Sequence, residues 1–110
     1  MNKKALGKRI NTARKSRGLT SERLSELCHV NATYVRQIES GTKVPSLPVF
    51  IDLCNALQTS PTFLLTDMLG PNEMSRFGDL CTLWRDATPE QIQIIMAMLQ
   101  SALSELQGRD

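Results

Sequence analysis

Aromatic residues are scarce in this chain of 110 residues, which has three Phe, one Tyr and one Trp. That scarcity disfavours proteins that hold single-stranded nucleic acid by stacking its bases on aromatic side chains. Histidine is rarer still, with His29 alone. The cysteines Cys28, Cys54 and Cys81 lie far apart, with no CxxC pair or Cys/His cluster among them. A structural zinc site needs about four well-placed ligands. No metal is therefore expected, and the cysteines read as reduced, buried thiols. No glycine-rich phosphate loop and no carboxylate or Cys/His constellation stands out, so an enzyme is not expected, no catalytic residue is assigned and no cofactor is implied. No apolar run approaches the roughly 18 residues of a bilayer span. The basic start, Met1 to Arg9, lacks the apolar segment of a secretory signal. A cytoplasmic chain without a membrane partner is expected.

What the chain does have is 41% hydrophobic and 22% charged residues, enough for a real but small core in one domain, or one domain with an appendage. The net charge of +2 conceals a division. Residues 1–65 carry ten Lys/Arg against four Asp/Glu, a net +6, whereas residues 66–110 carry three against seven, a net −4. A basic front with an acidic rear is the asymmetry expected of a chain whose one end meets a polyanion.

Helical periodicity dominates, and the fold class is all-α. Leu6, Ile10 and Ala13 recur at helical spacing over Lys3–Ser16, ahead of Gly18. Thr20 caps a second helix with Leu24 and Leu27 facing inward, and Asn31 caps a third with Val35 and Ile38 inward, ended by Gly41. Ser46 caps a fourth that buries Leu47, Phe50, Leu53, Cys54 and Leu57, and Ser60-Pro61 opens a short fifth that buries Phe63 and Leu64. Gly70-Pro71-Asn72 is the clearest break. Beyond it Phe77, Leu80, Cys81 and Trp84 form one stripe, and Thr88-Pro89-Glu90 starts a last helix running to about Leu106. The organisation expected is 1–66, a linker at 67–73, and C-terminal helices over 74–110.

Between Thr20 and Gly41 lie a helix of about seven residues, a connection of three or four, and a second helix with a capping Asn. This is the helix-turn-helix plan, whose second helix enters the DNA major groove. Leu6-Gly7-Lys8-Arg9-Ile10, Arg14-Lys15-Ser16-Arg17-Gly18-Leu19-Thr20, Leu24, Tyr34-Val35-Arg36-Gln37-Ile38-Glu39-Ser40-Gly41, Pro45-Ser46-Leu47 and Leu53-Cys54-Asn55-Ala56-Leu57 together resemble the Cro/cI-type (XRE) helix-turn-helix family over about residues 5–65. The resemblance implies a five-helix, lambda-repressor-like DNA-binding domain of a transcriptional regulator, here with a C-terminal helical extension, acting as a dimer on a palindromic operator. It also implies an internal ion pair between Arg14 and Glu39. The chain departs from the family's common pattern at Ser21, where Gln is usual, at Ser25, where Ala is usual, and at His29, where Gly is usual. In a left-handed backbone His29 is strained by roughly 1 kcal/mol or more.

With Val35 and Ile38 inward, Ala32, Thr33, Arg36 and Gln37 face the groove. Gln37 suits adenine N6 and N7, Arg36 suits guanine or a phosphate, and Ala32 and the Thr33 methyl suit thymine methyl groups. Thr20, Ser21 and Asn31 sit at helix N-termini, where free N–H groups favour phosphate. Tyr34 and Lys43 are within reach of the same backbone. In the last helix Ile92, Ile95, Met96, Leu99 and Leu103 share an apolar face. Two dispositions fit it: a homodimer interface, or packing onto Phe77, Leu80, Trp84 and the fifth helix of the same chain. The function expected is a dimeric repressor on double-stranded DNA. The alternative is a protein-interaction module, such as an antitoxin or anti-repressor partner, whose C-terminal helices bind another protein.

Overall fold

The fold begins from side-chain caps. In the computed structural model, which describes the backbone of residues 2–107 and the side chains of residues 2–100, Asn2, Thr20, Asn31, Ser46, Ser60 and Asn72 each accept a hydrogen bond from the backbone N–H three residues on. Each cap satisfies a donor that the first helical turn leaves free. Behind these caps run α1 (Lys3–Ser16), α2 (Ser21–Leu27), α3 (Ala32–Glu39), α4 (Leu47–Leu57), α5 (Pro61–Leu65) and α6 (Glu73–Leu83). The last helix, α7 (Pro89–Gln107), is opened by Thr88, whose hydroxyl accepts from Gln91 N while Gln91 Oε1 accepts from Thr88 N. Among the described residues there is no strand, and none of the helices is long and apolar enough to cross a membrane.

Gly18 and Gly41 take positive φ, at 69° and 82°, as turns after α1 and α3 require. His29 also takes φ 57° and Gln58 φ 51°, so the first of these is strained as expected and the second joins it.

Among the described residues one buried cluster runs from Leu6, Ile10, Leu24, Val35 and Ile38 through Phe50, Leu53 and Leu64 to Leu80, Trp84, Ile95 and Leu99. Phe50 and Trp84 join its front and rear, their ring centroids 5.0 Å apart. The segment 67–73, expected as a linker, does not divide the interior into separate cores. Met68 is buried within it, Asp79 Oδ2 accepts from Gly70 N at 2.7 Å, and Arg76 Nη2 donates to the Pro71 carbonyl at 3.1 Å.

The structure corrects several inward assignments. Leu27 is exposed because Cys28, four residues after Leu24, takes its place in the core. Phe63 is exposed because Leu64 and Leu65 fill the interior side of the short α5, leaving its ring beneath the Arg9 guanidinium, 4.9 Å from the centroid. Phe77 is exposed as well.

The dimer-interface assignment changes most. Ile92, Ile95, Met96 and Leu99 are at most 7% exposed within a single chain. They pack in this chain's own core, with only Met96 reaching the edge of a surface groove, so they do not form a free apolar face for a second copy. The Leu103 side chain lies outside the described residues.

Candidate nucleic-acid interface

α3 is seated from one side only. Val35 and Ile38 are each 1% exposed, whereas Thr33 and Arg36 are exposed and Ala32 and Gln37 half-buried. The 3.6-residue period thus divides this eight-residue helix into an anchored and an open face. α1 crosses its C-terminal end at Gly7, where an added Cβ would land on the Ile38 and Glu39 carbonyls. The Lys4 backbone and Cγ lie against Gly41, just past that end.

The depth at which α3 is held is set by Glu39. Its carboxylate accepts from Arg14 Nε at 2.7 Å, Arg14 Nη2 at 3.1 Å and Asn11 Nδ2 at 2.6 Å. Arg14 Nη1 also donates to the Leu19 carbonyl at 2.8 Å, tying in the segment that leads to α2. The hydrogen-bonded carboxylate raises the Arg14 pKa above its ordinary value, against the opposing effect of burial. An acid at a helix C-terminus is disfavoured by the dipole; here the Arg14 guanidinium compensates it.

Thr20 Oγ1 accepts from Arg23 N at 3.0 Å and Asn31 Oδ1 from Tyr34 N at 2.7 Å. Both are therefore caps in the free protein, and both remain exposed to solvent. Ser21, the first residue of α2, is half-buried. The Tyr34 hydroxyl accepts from Ser46 N at 3.3 Å. Lys43 is exposed, in a turn whose Thr42 and Lys43 N–H groups both donate to the Gln37 carbonyl, at 2.9 and 3.1 Å. The structure thus places Ala32, Thr33, Arg36 and Gln37 together on α3, Thr20, Ser21 and Asn31 at the starts of α2 and α3, and Lys43 at the far end.

Sequence reasoning missed Glu22. Its Oε1 accepts from Arg36 Nη1 at 3.2 Å, linking α2 to the open face of α3. A hydrogen bond from its own backbone N–H, and next the Arg36 guanidinium, hold the Glu22 carboxyl below the usual range. Both side chains are more than half exposed, so solvent screens the pair. The 14-residue separation gives no periodic signal for it. Asn11 at Glu39 was missed for the same reason.

A short helix, a turn at a left-handed residue, and a second helix with one anchored and one open face make the helix-turn-helix geometry. Residues 5–64, more than half of the chain, match the helix-turn-helix domain family. The chain belongs to that family. This helix-turn-helix protein is also similar to two solved structures of the clp gene regulator ClgR from Corynebacterium glutamicum. One is 28% identical, with a TM-score of 0.56 over 61% of this chain and 87% of that one. The other, at 23% identity, matches in fold, with a TM-score of 0.57 over 97% of this chain and 87% of that one. No curated protein matches. Family and neighbour support DNA binding in transcription regulation as the general role of this helix-turn-helix protein.

Proposed function

We propose that this protein is a sequence-specific regulator of double-stranded DNA, binding a palindromic operator as a dimer and repressing by covering promoter DNA. The observation that carries the reading is the open face of α3, with Thr33 and Arg36 exposed and Val35 and Ile38 buried. A face of this kind fits a major groove about 12 Å wide. In the proposal Gln37 reads adenine, Arg36 exchanges Glu22 for a guanine edge or a phosphate, and Ala32 and Thr33 meet thymine methyl groups. Thr20, Ser21, Asn31, Tyr34 and Lys43 hold phosphates and set the register.

Pairing of two copies is assigned to the surface that α6 and α7 leave open. A groove of about 470 Å³ there is lined by Glu73, Met74, Phe77, Gln93, Met96, Ala97 and Gln100, and Met74 and Phe77 are exposed at 85% and 43%. None of its lining residues is basic, which suits a face turned from phosphate. To read both half-sites, a two-fold pair has to set its two α3 helices one DNA turn apart, roughly 34–36 Å.

Selection of bound sequences from a random duplex library tests the proposal. A palindrome with half-sites one turn apart is the expected result, with log K falling against log salt at a slope near −7 for about eight neutralised phosphates. Binding to no duplex at low salt contradicts it and favours the interaction module.

A further inference from the structure

The turn between α3 and α4 carries Lys43 and receives the Tyr34 hydroxyl, yet it is fixed at few points. At its start Thr42 N and Lys43 N are tied to the Gln37 carbonyl. At its end Ser46 N donates to Tyr34 Oη and Ser46 caps α4. Beside it lies a crevice of about 410 Å³ whose walls include Tyr34, Val44 and Ser46 on one side and Leu83, Asp86 and Gln91 on the other. The turn is therefore not packed continuously against the C-terminal helices. One directional bond crosses: Trp84 Nε1 donates to the Pro45 carbonyl at 2.7 Å, buried and 39 residues away in sequence.

Trp84 is itself immobilised. It is 5% exposed, its ring packs on the fully buried Phe50, and it ends α6 with its backbone N–H on the Leu80 carbonyl at 2.9 Å. A ring held this firmly aims its N–H at one point, and a buried carbonyl deprived of such a donor moves to recover one. Pro45 has no N–H with which to hold the turn itself, so its carbonyl is the backbone handle available at that residue.

From this geometry we infer that Trp84 is a positioning residue for the phosphate grip, setting the turn that presents Lys43 and thereby making DNA affinity depend on the C-terminal helices. The inference rests on the DNA-binding reading above. It assigns to α6 a role in binding that is distinct from pairing, since the bond lies within one chain.

Trp84→Phe keeps an aromatic ring against Phe50 and removes the N–H. Binding of the variant to the selected duplex and to a scrambled duplex is measured across a salt series, alone and combined with Lys43→Ala. The expected result is about tenfold weaker binding to both duplexes and a salt slope smaller by about one, because one phosphate contact is lost. In the Lys43→Ala background Trp84→Phe should then cost no further affinity. Trp84 is the sole tryptophan, so its emission should also shift when wild-type protein takes up duplex. If Trp84→Phe does not fold, benzothienylalanine at this position, the same ring shape with sulfur for N–H, is measured in its place. Affinity and salt slope equal to wild type, or losses that add to those of Lys43→Ala, overturn the inference alone. A wild-type chain that binds no duplex overturns the DNA-binding reading and this inference with it.

Discussion

Arg14 and Glu39 join α1 to α3 through two hydrogen bonds, at 2.7 and 3.1 Å, with side chains only 12% and 9% exposed. Removing one partner of so shielded a pair leaves the other charge without compensation, which costs more than the pair contributes as a whole. Arg14→Met should destabilise the fold by about 3 kcal/mol, read as a lower urea midpoint at unchanged slope. The double variant Arg14→Met/Glu39→Met should lose less than the sum of the single losses. Additive losses would show that the two charges do not depend on each other.

Two backbone positions should respond with opposite signs. At Gly7 a methyl group meets the Ile38 and Glu39 carbonyls, which are backbone and cannot turn aside. Gly7→Ala should cost about 3 kcal/mol, at the upper end of overpacking effects. At His29, φ 57° imposes a left-handed conformation that glycine accepts freely. His29→Gly should stabilise the fold by up to about 1 kcal/mol, the relief of strain less the greater chain entropy of glycine. Urea denaturation of both variants checks the pair of signs.

The thiols give a pH dependence on the alkaline side. Burial pushes Cys28 to about 11 and Cys54 to about 12, above an ordinary value of 9.0. The neutral thiol is thus the form the fold favours. A raised folded pKa supplies stability that is complete below the unfolded value and is lost as pH rises toward the folded value. Stability should therefore decline from about pH 9 to about pH 12, and replacing both cysteines with Ala should flatten that decline. In the native state at neutral pH an aromatic disulfide reagent should modify the half-buried Cys81 first, with Cys28 and Cys54 reacting only on unfolding.

Much of the fold was legible because caps and glycines punctuate the chain. Thr20, Asn31, Ser46 and Ser60 are short polar side chains placed just ahead of apolar periodicity, and each caps the helix it precedes. The division of α3 into Val35 and Ile38 on one face and Thr33 and Arg36 on the other follows from its period alone. What periodicity does not carry is which partner covers an apolar stripe. Ile92, Ile95, Met96 and Leu99 read as a pairing interface with core packing as the alternative, and only tertiary packing decides for the core. Leu27 was misjudged because Leu24 has candidate neighbours at both i+3 and i+4, and the turn at His29 selects Cys28. Long-range polar bonds were illegible for a similar reason. Glu22 to Arg36 and Trp84 to Pro45 join residues 14 and 39 apart, and nothing local marks either end as a partner of the other.

The central claim, that the open face of α3 reads base edges while its surroundings hold phosphates, is tested most directly by repeating the duplex selection with Gln37→Ala and Lys43→Ala. The account predicts that Gln37→Ala relaxes one base position in each half-site, losing about 1–3 kcal/mol of discrimination there, while Lys43→Ala weakens all sequences about equally. Equal losses on every sequence for both variants would contradict it.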